Sequence, residues 1–264
     1  MTETQFDSAR PWPAATVAVW AAAWRAGECS PDHVLGVVHD YGQAHEIDAA
    51  SDVVAGDGPL GVIDLLRSAA HVAVRLPAPG DPQGLPPGVV GPDELDTGEV
   101  VLIDDRSAGA EGPMRPLVLI ARPTVERCRW IVRRGQTEVA VDRLSAEQNP
   151  GDAEADLRDG IREAVTLLES VGSSGGRGPA DLRDALAARV RADMIDLPPH
   201  DNPRLDRILA SAAQIDAIVS LAGTGAAGTS GAQQASADEA LRRLSALARS
   251  ARAAAVNAAI RQYR

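Results

Sequence analysis

The 264-residue sequence contains no lysine: all 26 of its basic residues are arginine. That absence excludes Schiff-base catalysis, a lysine general base and the lysine of a phosphate-binding loop, each of which needs a primary side-chain amine. Aromatic residues are scarce at 3%, with a single Phe and four Trp, so the core must be built from Ala, Val, Leu and Ile. Two cysteines, Cys29 and Cys128, supply neither a disulfide framework nor a zinc tetrad. They are the usage expected of a reducing cytoplasm. No apolar run reaches the roughly 20 residues of a membrane span, and residues 1–10 carry Glu3 and Asp7 rather than a secretory signal. A cytoplasmic protein that does not enter the membrane is therefore expected.

What is present is acid. Net charge is −11 and the isoelectric point is near 4.9, which argues against nucleic-acid binding by the surface as a whole. Hydrophobic residues at 45% and a chain of this length suffice for one large domain or two modest ones.

The pattern along the chain predicts an α+β fold, with N-terminal helices and a small, mainly antiparallel sheet followed by a helical C-terminal half. Residues 1–10 read as a disordered N-terminus, 11–150 as an α+β subdomain, and 151–264 as a helical subdomain with a flexible loop at 223–235. Pro13 to Arg25 places Val17, Trp20, Ala21 and Trp24 at helical spacing. Ser30-Pro31 is a helix start, with Ser30 as N-cap. A short helix is expected from Pro59 to Ser68, and strands at His71–Leu76, Glu99–Ile103 and Leu117–Ala121. Alternation over Arg127–Arg133 and Gln136–Asp142 predicts a hairpin turning at Arg134-Gly135, with Cys128, Trp130, Val132, Val139 and Val141 on its buried face. Helices are expected over Ala153–Ser170 and Pro179–Met194, and another begins at Asn202-Pro203. Ser236-Ala237-Asp238-Glu239 reads as a capping box that opens the last, Ala-rich helix.

Few residues carry a chemical signal. The Pro77 to Gly88 loop, PAPGDPQGLPPG, is stiff enough to shape a ligand mouth around Asp81. Asp104-Asp105 ends an apolar strand, where carboxylates can hold a cation, although the missing lysine excludes a P-loop enzyme. Asp81, Asp104 and Asp105 are thus the candidate ligand-binding residues. Arg127, Arg129, Arg133 and Arg134 suit an anion or a partner protein, with Glu138 and Asp142 as cross-strand acids that could neutralise them. Arg242 and Arg249 lie on the last helix, whose alanine stripe suits helix packing and whose charge suits nucleic acid less well for want of stacking aromatics. His33, His39 and His45 each neighbour an acid, but His33 and His39 fall on different faces of one helix, so no metal site is assigned. Cys29 with His33 lacks the orienting third group of a catalytic pair. No catalytic residue and no cofactor emerge.

The segment Leu76 to Leu85, Leu-Pro-Ala-Pro-Gly-Asp-Pro-Gln-Gly-Leu, resembles that of a family of conserved hypothetical actinobacterial proteins. The resemblance extends to the Glu99–Asp105 strand and to the Pro198-Pro199-His200-Asp201 helix start, and it implies an organism type and compartment without an activity. The expected function is that of a non-catalytic cytoplasmic protein acting through protein contacts, with an unknown partner or as a homo-oligomer. A small-molecule binder or hydrolase using loop 77–88 with Asp104 and Asp105 is the alternative. A further one is an accessory nucleic-acid binder working through the terminal helix.

Overall fold

The computed structural model describes residues 10–107, 109–110, 112–172, 179–223 and 231–263. The expectation of a disordered 1–10 segment falls, for residues 1–9, outside the described residues. So do 224–230 of the expected 223–235 loop and 173–176 of the Gly/Ser stretch.

The fold is α+β, and the chain divides into two compact units. The first comprises residues 1–147, 196–200 and 259–264; the second comprises 148–195 and 201–258. The helical region is thus not one uninterrupted stretch, because two short segments return to the first unit.

In the first unit a five-stranded sheet has the order β1-β5-β4-β3-β2. Its strands are β1 (Ala44–Ala49), β2 (His71–Arg75), β3 (Val100–Asp104), β4 (Leu117–Pro123) and β5 (Arg127–Arg134). Every pairing is antiparallel except β1 with β5. Alternation sorts the side chains onto two faces. Val72, Val74, Val101, Ile103, Leu119, Cys128, Trp130 and Val132 share one face, all at most 4% exposed. The helices α1 (Pro13–Arg25), α2 (Pro31–His39) and α3 (Gly58–Arg67) pack together, with α1 on β3 and β4 and α3 on β1. The other face carries Ala73, Val100, Leu102, Val118, Ile120 and Ile131, and these pack with Leu85, Val89, Met114, Val139 and Val141. The Pro/Gly loop therefore contributes Leu85 and Val89 to the core as well as connecting β2 with the one-turn helix α4 (Pro92–Leu95).

Two expectations are corrected here. Gln136–Asp142 is not a strand: β5 pairs instead with β4 and β1. Val139 makes a single bridge to Met114, and Val141 opens α5 (Val141–Ala146), so the alternate valines are buried by different neighbours rather than by one ladder. The last helix, α9 (Gly231–Gln262), begins before Ser236, so Ser236 is not its N-cap. Residue Ala44 to Ala49, read as neither helix nor strand, is β1.

Arg75 is fully buried at the β2 edge, where its Nη2 donates to Leu144 O at 2.8 Å and to Glu147 at 2.6 Å. This fastens the end of α5 to the sheet. Gly61 lets α3 cross the connection that leaves β1: a methyl there would overlap the Gly56 carbonyl oxygen and stand 2.6 Å from Ile47 Cδ1. Gly61→Ala is expected to lower stability by about 1–3 kcal/mol, the cost of overpacking, read as a fall in the urea midpoint with an unchanged slope.

The second unit contains α6 (Pro150–Gly172), α7 (Pro179–Ala192), α8 (Pro203–Gly223) and most of α9. α8 packs on both α6 and α7. At Gly160 of α6 a side chain would collide with Leu247 Cδ2 of α9 and press on Ile215 Cδ1 of α8 at 3.3 Å, so glycine sets how closely the three helices approach. Asp216 of α8 pairs with Arg252 of α9 at 2.8 Å. Ala251 to Val256 are each 0–1% exposed, a helix buried on all sides. Among the described residues no helix is long and apolar enough to cross a membrane.

Candidate functional site

The residues singled out from sequence do not gather at one place. Asp81 accepts from the backbone N–H of Gln83 at 3.1 Å and from its Nε2 at 2.8 Å, closing the turn that carries it. Asp104 is 1% exposed and takes two hydrogen bonds from the Arg106 guanidinium, at 2.9 and 2.8 Å. Burial alone would raise this carboxyl, but the Arg106 fork outweighs it and holds Asp104 below the ordinary carboxylate range. Asp105, next in sequence, is gripped by both Nη atoms of Arg134 at 3.0 and 2.8 Å. Each carboxylate is thus occupied by a different partner.

The arginines of β5 are similarly occupied. Strand alternation places Arg129, Ile131 and Arg133 on one face, and the parallel β1–β5 ladder sets them beside Glu46 and Asp48. Asp48 accepts from Arg129 at 2.6 Å and from Arg133 at 2.9 Å, and the Arg133 bond above all holds the carboxyl below its usual range. Glu138 and Asp142, the acids expected to oppose them, are not on an adjoining strand. Arg127 opens the strand, exposed to solvent. On α9, Arg242 pairs with Glu239 at 2.8 Å and Arg243 with Glu163 of α6. Arg249 is half-buried and acts on Asp216, as does Arg252, so much of this helix's charge is turned into the bundle.

A cleft lies on the β4–β5 face, with a volume of about 590 Å³. Its walls bring together Gly88 at the end of the Pro/Gly loop and Val89 to Pro92 after it, Arg133, Arg134 and Gln136 from β5 and its exit, and Ala50 and Asp52 from the exit of β1. Arg115 and Glu94 complete it, and none of Asp81, Asp104 or Asp105 lines it. Gly88 is fixed in place from the far side of the turn: its carbonyl accepts from Gln136 N at 3.3 Å, and Thr137 Oγ1 donates to Pro87 O at 2.9 Å. The sequence pointed to the loop and to Arg133 and Arg134 separately. It carried no signal for Arg115, Asp52 or Glu94, whose convergence depends on long-range register.

Two buried groups sit on the helix-covered side of the sheet. Glu99 is 2% exposed, and its two carboxylate oxygens each accept a backbone N–H at 3.0 Å, from Ala14 and from Ala15 in the first turn of α1. Burial pushes Glu99 up to about 7, against the opposing pull of those amides. The same burial, with Glu99 nearby, pushes the Cys128 thiol up to about 12, a condition that leaves it un-ionised and unreactive at neutral pH. Cys29 is also raised by burial. His39 and His45 stack edge to face at 5.3 Å, and His45 Nδ1 accepts from Trp130 Nε1 at 3.1 Å. That bond places the neutral ring's proton on Nε2, leaving no lone pair there for a metal. Among the described residues no group of three metal-ligating side chains forms.

The sequence pattern of the Rv1486c-like protein N-terminal domain matches residues 14–142, and that of the C-terminal domain matches 151–253. An uncharacterized protein of Mycobacterium tuberculosis strain H37Rv, Rv1486c, is 30% identical, over 93% of this chain and 96% of its own length. The chain belongs to the Rv1486c-like family. Uncharacterized proteins of Mycobacterium leprae and Mycobacterium avium are 28% and 27% identical, with the same shares of each chain covered. No solved structure matches. Every wall of the cleft lies inside the Rv1486c-like N-terminal segment, as does Glu99. The pair Asp216–Arg252 lies inside the C-terminal one.

Proposed function

We propose that this protein is a non-catalytic cytoplasmic protein that acts by contact with another protein, through the β1 edge and the connection that follows it. The observation that carries this reading is Val54, 96% exposed, two residues beyond Asp52 on the segment leaving an edge strand. Leu60, at the start of α3, is 61% exposed on the same connection. Among the described residues no strand pairs with the outer side of β1, so its amides and carbonyls are open to a partner's backbone. Exposed apolar side chains beside such an edge supply the burial that backbone pairing alone does not.

The chemistry of the edge favours a different protein over a second copy. A two-fold β1–β1 pairing that keeps both sheet faces continuous sets Glu46 against Asp48 or against another Glu46, and like charges directly opposite are destabilising. A partner strand carrying arginine or lysine opposite Glu46 meets that acid favourably, Asp48 being already held by Arg129 and Arg133. The inward use of Arg249 and Arg252 weighs against the nucleic-acid alternative.

The test is cross-linking and recovery from the native host with wild type and with the double variant Val54→Asp/Leu60→Asp. Both positions are exposed, so the free energy of unfolding should change by no more than about 0.5 kcal/mol, as is typical of surface changes. A specific protein recovered with wild type and reduced at least about tenfold with the variant, roughly 1.4 kcal/mol of contact, is the expected outcome. Recovery that is indifferent to the two aspartates would overturn the reading.

A further inference from the structure

The cleft presents charges of both signs that the fold does not neutralise. Arg115 donates through Nε to Gly135 O at 2.8 Å, which fixes the plane of its guanidinium, and its two Nη atoms have no partner among the described residues. Asp52 and Glu94 make no ion pair or hydrogen bond through their carboxylates among the described residues, and Asp52 acts on Arg134 only at longer range. The remaining charged walls differ. Arg133 is held by Asp48 and Arg134 by Asp105, so these two forks are already compensated by acids outside the cavity. Arg75 and Arg129 of the sheet and Arg106 just beyond β3 are each paired with an acid as well, while Arg122 of β4 donates to the Asp93 carbonyl. Arg115, Asp52 and Glu94 depart from that habit, and all three border one cleft.

Their signs select a ligand. A simple anion would meet Arg115 but be repelled by Asp52 and Glu94, and a doubly charged phosphate more strongly. A simple amine would find the two acids and be repelled by Arg115. A molecule with one carboxylate and two cationic groups satisfies the guanidinium fork and both acids together. Val89, Val90, Pro92 and Val118 also line the cavity and supply apolar wall for an aliphatic spacer between the charged ends. The volume, about 590 Å³, falls in the roughly 300–1,000 Å³ range of small-molecule sites.

From this convergence of one uncompensated guanidinium and two uncompensated carboxylates around an aliphatic-walled cleft, we infer that the protein binds a dibasic amino acid there. Arg115 takes the carboxylate, and Asp52 and Glu94 share the α-ammonium and the side-chain cation. Ala50 and Asp52 of its wall belong to the connection that follows β1, but the ligand assignment does not depend on the partner reading.

The experiment is calorimetric titration of the full chain with L-lysine, L-ornithine and L-arginine, alongside cadaverine, which lacks the carboxylate, and L-norleucine, which lacks the second cation. At least one dibasic amino acid should bind, with cadaverine and norleucine each at least about tenfold weaker, the loss of one good charged contact. Arg115→Gln, at an exposed position, should abolish the preference for lysine over cadaverine. Glu94→Gln should weaken lysine. Absence of binding by all three dibasic amino acids at about 10 mM, a limit near 3 kcal/mol of affinity, overturns the assignment. So does cadaverine binding as tightly as lysine, or lysine affinity untouched by Arg115→Gln. An unfolding midpoint for each variant within about 2 °C of wild type secures these outcomes against misfolding.

Discussion

At pH 5, exchanging Glu99 for leucine should lower the free energy of unfolding by about 3–5 kcal/mol, because two amides of the α1 first turn lose their acceptor in a site without water to replace it. Both bonds are 3.0 Å long and the side chain is 2% exposed, so neither amide can turn to solvent without moving the helix. The wild type should also respond to pH in a way the variant does not. Burial raises Glu99 from 4.5 to about 7, so the folded chain holds a proton that the unfolded chain has released over that window. The Glu99 contribution to stability is therefore greatest below pH 4.5 and falls as pH rises through 7, by about 3 kcal/mol in all at 1.36 kcal/mol per pH unit. The gap between wild type and Glu99→Leu narrows correspondingly toward pH 8. Glu99→Gln, which cannot ionise, removes this decline. Urea unfolding of the three proteins from pH 4.5 to 8.5 reads the effect as differences, in which other titrating groups cancel. A wild-type profile parallel to that of the glutamine variant would contradict it.

Asp216→Ala should have an effect of similar size in the helical unit. Arg252 is fully buried and meets Asp216 at 2.8 Å, with the aspartate side chain 22% exposed. Burial raises the Asp216 carboxyl, with Arg252 pulling the other way. Removing the acid leaves a guanidinium in the interior of the bundle, a loss of about 3–5 kcal/mol, and the double change Asp216→Leu/Arg252→Met should recover most of it. The mechanism makes that recovery diagnostic: if the double variant is as unstable as the single one, the pair contributes through something other than charge compensation. Thermal unfolding of wild type, Asp216→Ala and the double variant measures it.

Much of the fold was legible because its elements announce themselves locally. Ser30 does accept from the N–H of His33, and α2 starts at Pro31 as its cap implied. β2, β3 and β4 are short apolar runs, each bounded by polar or turn residues. β1 was not legible. Its sequence, Ala-His-Glu-Ile-Asp-Ala, has no β-branched run, and its order comes from Asp48 meeting Arg129 and Arg133 across a parallel ladder to β5, a contact some 85 residues away in the chain. The false hairpin arose from the opposite situation, in which Val139 and Val141 alternate as strand residues do but are buried by Met114 and by entry into α5. The cleft shows the same limit. Clustering in sequence drew attention to Arg127, Arg129 and Arg133, while Arg115 stands alone before a proline and gains its meaning only from Asp52 and Glu94 brought beside it by the sheet register.

The return of residues 259–264 to the first unit bears on how the chain is made. Tyr263 donates its hydroxyl to Pro198 O and Pro199 O at 3.2 and 2.8 Å, and Trp20 Nε1 donates to Asp196 O at 2.9 Å, all within that unit. A ribosome that has delivered the whole sheet by residue 134 must still translate well over a hundred codons before the Tyr263 bonds can close. At 5–20 residues per second that is roughly 6–26 s for Tyr263, while the Asp196 acceptor of Trp20 follows residue 134 by 62 codons, roughly 3–12 s. Nascent-chain complexes stalled before codon 196 should accordingly show the sheet more open to protease than released full-length chain.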